Sequence, residues 1–390
     1  MISVEQALQQ CLNLAAPLPP EFVPLRQSLG RVMAAPVFAQ LSQPPFAASA
    51  MDGYALGRAG VVGDTFDVVG EAGAGHAFAG TLLSHQSTRI FTGAPLPQDA
   101  VSVAIQEDVT VQGIQITLNA VALAGDNIRP MGQDFALGQV FYPRHPLRPN
   151  DLALLAAMNI AVVPVVRRPI VALIATGDEL VMPGEVPRPD QIVASNTFAL
   201  AAMVEQAGGE ARILPIARDN EAHLRQVFAL TAGADLIVTI GGASVGDHDL
   251  VGKVAADLGL ERSFWKIAMR PGKPLMAGRL LGTAMLGLPG NPVSAIVCGH
   301  LFMLPMLRAM LGLPDFGPVV RQAVLASDQP ANGPRTHYLR ARLADDGTIA
   351  PFERQDSALL SILTQSNALL IRPVNDAALR SGARVDYIPL

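Results

Sequence analysis

The run Leu236-Ile237-Val238-Thr239-Ile240-Gly241-Gly242-Ala243-Ser244-Val245-Gly246-Asp247-His248, closed by Asp249, decides how this chain is read. Ile237 to Ile240 are consecutive apolar or β-branched residues, the signature of a strand buried on both faces. The Gly-Gly pair stops that strand where the backbone can turn and approach a ligand. Ser244 then offers a hydroxyl, and Asp247 and Asp249 place two carboxylates at the start of the next helix. Such a set suits a phosphate held together with a divalent cation. No Gly-Lys-Ser/Thr follows, so it is not a P-loop.

Outward from this strand, the region 169–313 alternates strands and helices. Strands are expected at 170–175, 211–216, 264–268 and 283–288. Helices are expected at 197–207, at 220–232 with Asp219 or Asn220 as cap, and at 293–311. Repeated β–α alternation implies a doubly wound, mostly parallel sheet with helices on both faces. Upstream, Ser3-x-x-Gln6 is a capping box for a helix to about Leu14. A Pro-rich break and a second short helix follow. Residues 66–140 have short alternating strands with glycine turns, a small β domain. The helix at 150–159 is expected to return and pack with the first helices, and after 314–318 the chain is β again.

With 390 residues, half of them hydrophobic and 16% charged, several cores are affordable and disorder is excluded. A net charge of -5 argues against nucleic-acid or membrane-surface binding. Two cysteines, Cys11 and Cys298, cannot form a disulfide framework and fit a reducing, cytoplasmic setting. The first residues lack the basic and apolar regions of a signal peptide, and no membrane association is expected.

Ligands of open parallel sheets bind beyond the carboxyl ends of the strands. Three loops are expected there: Thr176-Gly177-Asp178-Glu179, the Gly-Gly loop, and Gly287-Leu288-Pro289-Gly290-Asn291-Pro292-Val293-Ser294. Each alone also reads as an ordinary turn; together at one sheet edge they read as a crevice. Asn291 is a natural N-cap whose neighbouring free amides would attract an anion. Arg270-Pro271-Gly272-Lys273-Pro274 adds cations on a stiffened backbone. In the β domain, Asp52, Thr92, Arg129 and Asp134 sit in small-residue turns. The histidines do not cluster with metal-ligand spacing.

The ordered motifs Ser-Ala-Met-Asp-Gly-Tyr-Ala (49–55), Thr-Gly-Ala-Pro (92–95), Gln-Glu-Asp (106–108), Asn-Ile-Arg (127–129), Thr-Gly-Asp-Glu (176–179), Gly-Gly-x-Ser-Val-Gly-Asp (241–247), Phe-Trp-Lys-Ile-Ala-Met-Arg-Pro-Gly-Lys-Pro (264–274) and Gly-Leu-Pro-Gly-Asn-Pro-Val-Ser (287–294) are similar to those of the molybdopterin molybdenumtransferases, bacterial counterparts of the gephyrin E domain. The resemblance spans essentially the whole chain. It implies a multidomain α/β plus β protein: an elongated helical domain (1–41 with 137–168), an inserted β domain (42–136), a molybdopterin-binding α/β domain (169–313) and a C-terminal β-barrel-like domain (318–390). It further implies a homodimer that inserts molybdate into adenylylated molybdopterin with Mg2+, releasing AMP and molybdenum cofactor, and that contacts a molybdopterin adenylyltransferase.

Carried over residue by residue, the resemblance makes Asp52, Asp134, Asp178, Glu179 and Asp249 catalytic. Thr92, Arg129, Asn196, Gly241, Gly242, Ser244, Asp247, Pro289, Gly290, Asn291, Pro292 and Ser294 would bind substrate. Molybdate would meet Arg270, Lys273, Arg340 and Ser357, and Mg2+ would meet Asp247 and Asp249. Asp52, Thr92, Arg129 and Asp134 are implied to act from the second subunit. The chain departs from the pattern at Gln133, where many members carry Glu, at Ala243 for Val, and at Leu250 for Tyr. Lys253 lies one position from the usual Lys, and the region around Gln355-Asp356-Ser357 lacks the usual Gly and His. A nucleotide pyrophosphatase on the same α/β fold and a gephyrin-like scaffold are the competing readings.

Overall fold

A computed structural model describes residues 1–242 and 250–390. These form two compact units, Met1–Glu21 with Val166–Leu390, and Phe22–Val165.

In the first unit, helix α1 spans Val4–Leu14 behind the expected capping box: the Gln6 N–H donates to Ser3 Oγ, and the Ser3 N–H to Gln6 Oε1. The α/β layer continues with β1 (Ile170–Ala175), α2 (Asn196–Gln206), β2 (Glu210–Ile213), α3 (Glu221–Ala229), β3 (Leu236–Ile240), α4 (Leu250–Asp257), β4 (Glu261–Trp265), β5 (Met269–Arg270), β6 (Met276–Leu280) and β7 (Thr283–Leu288). Helix α5 (Pro292–Cys298) runs through a π turn at Gly299–Met303 into α6 (Leu304–Met310). The sheet order is β2-β1-β3-β7-β6-β4. The first four strands are parallel; β6 runs antiparallel to β7, and β4 antiparallel to β6.

The unbroken apolar strands are explained by burial on both faces. Leu173, Val238 and Leu286 stand abreast in one core with α1, α2, α5 and α6; Ala172, Ile237 and Met285, one residue back, stand abreast in the other with α3 and α4. Val4, Ala7, Cys11 and Leu14 give α1 its buried stripe. The helical stretch Pro292–Met310 has the length and apolarity of a membrane span, yet 78% of its apolar window is buried inside the protein.

Five strands then close a barrel: β8 (Arg321–Leu325), β9 (Thr336–Leu343), β10 (Thr348–Pro351), β11 (Ala368–Arg372) and β12 (Arg384–Pro389), with α7 (Leu360–Gln365) between β10 and β11. Their cyclic order is β9-β10-β8-β12-β11, and β9 pairs with β11 to complete the ring. Strand β5 adds to the barrel edge through β9.

The second unit holds a six-stranded sheet in the order Ser102–Ile105, Gly53–Leu56, Gln86–Ile90, Thr65–Ala72, Gln115–Leu118, Val109–Gln112. Tyr54, Leu56, Phe66 and Ile116 pack on one side of it, and Ala55, Ile90 and Val103 on the other. A further core gathers Met33, Val37, Leu147, Leu155 and Val163 around the helix Pro149–Ala157.

Several expectations are corrected. The second short helix is a three-residue 3-10 turn, Leu25–Gln27, because Pro20 and Pro24 hold the preceding stretch extended. The helix Pro149–Ala157 does return to pack with Leu25 of that turn, in the core around Met33 and Leu147, but not with α1, which is committed to the α/β core. Strand β2 ends before Pro215, and β4 ends where Lys266 takes a φ of 72°. Strand β6 was not expected; Gly278 and Arg279 break its apolar pattern, and the turn Leu281-Gly282, both at positive φ, folds it back on β7.

Leu286 is fully buried in β7. Leu286→Ala is expected to cost about 2–5 kcal/mol. Urea unfolding followed by the fluorescence of Trp265, the single tryptophan, on β4 of the same sheet, checks it: the midpoint falls while the slope is unchanged.

Candidate functional site

Strand register builds the site. Ala175 stands opposite Ile240, and Ile240 opposite Leu288, so β1, β3 and β7 end at one level. β2 and β3 flank β1 on opposite sides, so the winding direction reverses between β1 and β3. Loops leaving such a switch point diverge and open a crevice. A cavity of about 690 Å3 occupies it. Gly177 and Glu179 line it from the first loop, Gly241 and Gly242 from the second, and Pro289 to Pro292 from the third.

The glycine pair is dictated by the backbone. Gly241 and Gly242 have φ of 94° and 63°. A Cβ on Gly242 would lie 2.2 Å from Val251 Cγ2, and one on Gly241 would lie 2.9 Å from the Thr176 carbonyl oxygen. The Thr176 N–H donates to the Ile240 carbonyl at 3.0 Å, and the Gly241 N–H to the Leu288 carbonyl at 3.1 Å, which ties the three loops at their roots.

The acids divide. Glu179 faces the cavity, with its carboxylate folded over Gly177. Asp178 is exposed beside it, outside the lining, and its Oδ1 accepts from the Asp219 N–H at 3.2 Å. Asn196 begins α2, and its Nδ2 donates to the Gly290 carbonyl at 2.7 Å, so it braces the third loop. Ser294 is buried in the first turn of α5. Ser244, Asp247 and Asp249 lie outside the described residues.

Two of the expected free amides behind Asn291 are not on offer. Asn291 occupies the N-cap position without a side-chain cap bond, and Pro292 has no N–H to give. The Val293 N–H donates to the Ser357 carbonyl at 3.0 Å. Ser357 is thereby brought to the third loop, and Ala358 lines the cavity. Arg340 holds this barrel loop: its Nε donates to Gln355 Oε1 at 3.1 Å and its Nη1 to the Asp356 carbonyl at 2.7 Å. At 1% exposure it is buried, and burial pulls its pKa below the usual arginine value.

Arg270 and Lys273 are exposed, and Pro274 lines the cavity. Arg270 stands opposite His337 in the β5–β9 pairing. Burial, then the charges of Arg270, Arg335, Arg340 and Arg372, push the His337 pKa down to about 4. At neutral pH this face carries arginine charge beside a neutral imidazole, a field that favours anions.

The second unit brings its four candidates together in two pairs, Asp52 with Thr92 and Arg129 with Asp134. Asp52 Oδ1 accepts from the Thr92 N–H at 2.7 Å and from the Thr92 hydroxyl at 2.8 Å. These bonds, with a smaller contribution from Arg89, hold the Asp52 carboxyl below the usual carboxylate range. Ile128–Arg129 pairs with Ala48–Ser49, and the Gly93 N–H donates to the Ser49 carbonyl. Arg129 and Asp134 line a second cavity of about 530 Å3 together with Gly93.

Three residues were missed. Asp219 lines the main cavity, while Asn220 is the cap of α3, accepting from the His223 N–H at 2.8 Å. The position of Asp219 in the loop after β2, beside the switch point, was the available signal. Arg218 precedes it and grips the first loop. Arg89 lies between the rings of Tyr54 and Phe91, 5.0 and 4.9 Å from their centroids, and donates to the Gly53 carbonyl beside Asp52.

Residues 2–159 match the MoeA N-terminal region (domain I and II), 172–309 a probable molybdopterin binding domain, and 322–390 the MoeA C-terminal region (domain IV). A Nostoc sp. protein named molybdopterin molybdenumtransferase is 34% identical, with 95% of this chain and 88% of that protein covered. Molybdopterin molybdenumtransferase 2 of Mycobacterium tuberculosis is 35% identical, with 99% and 98% covered. The crystal structure of the molybdopterin biosynthesis MoeA protein of Pyrococcus horikoshii shares the fold, with a TM-score of 0.87, 28% identity, and 100% and 99% covered.

The Thr92–Asp52 geometry has a measurable consequence. A lowered carboxyl pKa means that the interaction is present above the ordinary carboxylate range and is lost as pH falls through the lowered value. Thr92→Val deletes the hydroxyl donor but keeps the N–H. Carboxyl NMR titration should show the Asp52 pKa rising toward its ordinary value; an unchanged titration would contradict the hydroxyl's role.

Proposed function

The chain belongs to the molybdopterin molybdenumtransferases, enzymes of molybdenum cofactor biosynthesis, and from that premise we propose that it inserts molybdate into adenylylated molybdopterin in an Mg2+-dependent reaction that releases AMP. The observation that carries this reading is the switch-point cavity, where acids and a glycine-lined wall meet a barrel loop backed by buried Arg340.

The sign of the charges divides the work. Carboxylates repel molybdate strongly in a partly dry site. The oxyanion therefore belongs on the cationic side, with Arg270, Lys273 and the loop of Ser357. Arg340 adds positive charge there, and its two donated hydrogen bonds hold that loop in place. The phosphoanhydride belongs at Gly241, Gly242 and the Pro289–Ser294 turn, with Glu179 orienting water and Asp178 bracing the Asp219 backbone beside it.

Among the described residues, no three His, Cys, Asp or Glu side chains gather to cage a metal. Mg2+ takes one or two carboxylates and completes its shell with water and substrate phosphates. Asp247 and Asp249 would hold it, with Glu179 on the cavity wall. Bound Mg2+ would neutralise charge developing on the phosphoanhydride.

In a homodimer, Asp52, Thr92, Arg129 and Asp134 would serve the cavity of the second copy, with Asp52 ionised throughout the neutral range. Because the substrate arrives adenylylated, the reading includes contact with the adenylyltransferase that makes it.

Purified protein given adenylylated molybdopterin and Mg2+ should release AMP only when molybdate is added; release indifferent to molybdate would overturn the assignment. Asp249→Asn should slow turnover by about 100-fold or more without changing the oligomeric state. Shared sites have a statistical signature. Asp52→Asn and Asp249→Asn subunits, each inactive alone, should on random mixing recover about a quarter of wild-type activity, because half of the dimers then hold one intact site. Absence of recovery despite demonstrated subunit exchange would place all these groups in one subunit's site.

A further inference from the structure

The segment that follows β2 is zipped to the first loop by backbone bonds around Ala217. The Ala217 N–H donates to the Ala175 carbonyl at 2.8 Å, and the Gly177 N–H to the Ala217 carbonyl at 3.0 Å. The Arg218 side chain then closes over that loop. Its Nη1 faces the carbonyls of Gly177 (3.4 Å), Asp178 (3.2 Å) and Leu180 (2.9 Å). The Arg218 N–H is held by His223 Nδ1 at 2.9 Å, in the first turn of α3.

Three carbonyl dipoles aimed at one point repel each other unless a cation sits at their focus. A guanidinium is suited to this, since it is always charged and only donates. Glu179 and Asp219, the two acids that line the cavity among the described residues, lie on the two segments that Arg218 joins.

We propose that Arg218 is a positioning residue: an internal cation that gathers the carbonyls of 177–180 and thereby sets the spacing of Glu179 and Asp219 across the cavity. The role in turnover rests on the reaction proposed above; the clamp itself does not. Removing the guanidinium leaves the carbonyls opposed, and the loop relaxes outward. A displacement of about 1 Å at a reacting group costs on the order of 100-fold in rate.

The test uses full-length Arg218→Ala and Arg218→Lys. Amide hydrogen exchange over residues 177–181, read by mass spectrometry, should quicken in Arg218→Ala and return toward wild type when methylguanidinium is added. Molybdate-dependent AMP release should show kcat reduced by about 10- to 100-fold in Arg218→Ala, with partial recovery by methylguanidinium. Arg218→Lys, with a point charge in place of a planar fork, should recover only part of the rate. Wild-type exchange and kcat in Arg218→Ala would overturn the proposal, as would a loss that methylguanidinium leaves untouched. If the wild-type protein shows no molybdate-dependent release, the reaction fails, while the exchange measurement and its rescue still decide the clamp.

Discussion

Everything at the cavity depends on three parallel strands ending abreast, Ala175 beside Ile240 beside Leu288. That alignment is held from both faces. A slip of one residue would carry Leu173, Val238 or Leu286 from one core into the other, exchanging them with Ala172, Ile237 and Met285. Such an exchange of volumes is costly in a close-packed interior. Packing thus sets register, and register sets the height at which the acid loop, the glycine pair and the Pro-Gly-Asn-Pro turn emerge. The hydrogen bonds from Thr176 to Ile240 and from Gly241 to Leu288 then lock the loops to each other.

A second constraint comes from the barrel. A buried arginine is uncommon, and Arg340 is accommodated by spending its donors on Gln355 and Asp356. The loop so held places the Ser357 carbonyl on the Val293 amide. This changes what the start of α5 offers. The turn that reads as a cap with free amides is also a docking point for the barrel loop, which takes the Val293 amide. The anion-attracting character of this side of the cavity then comes from Arg270, Lys273 and the arginines around His337.

Legibility followed the range of the interactions. The capping box at Ser3 and Gln6 could be read because both partners lie within four residues. Strands β1, β3 and β7 could be read because burial on both faces demands unbroken apolar runs. By contrast, Asp52 and Thr92 are forty positions apart and looked like two unrelated turns; antiparallel pairing of Gly53–Leu56 with Gln86–Ile90 joins them. Asp219 was read as a cap because Asp and Asn suit that position equally. Only the fold shows Asn220 capping and Asp219 in the cavity wall. Strand β6 hid behind Gly278 and Arg279, which break its pattern but are tolerated in a hairpin.

The sequence by itself determined the α/β alternation, the glycine loops at the strand ends and the motif series that marks the family, because these follow from local periodicity and backbone sterics. Tertiary structure alone decided which groups meet. It aligned three loops by register, made Arg340 a brace by burying it, spent the Val293 amide on Ser357, and brought Arg218 over carbonyls some forty residues away. Those outcomes are set by long-range packing and by the need to satisfy buried polar groups. No window of neighbouring residues carries that information.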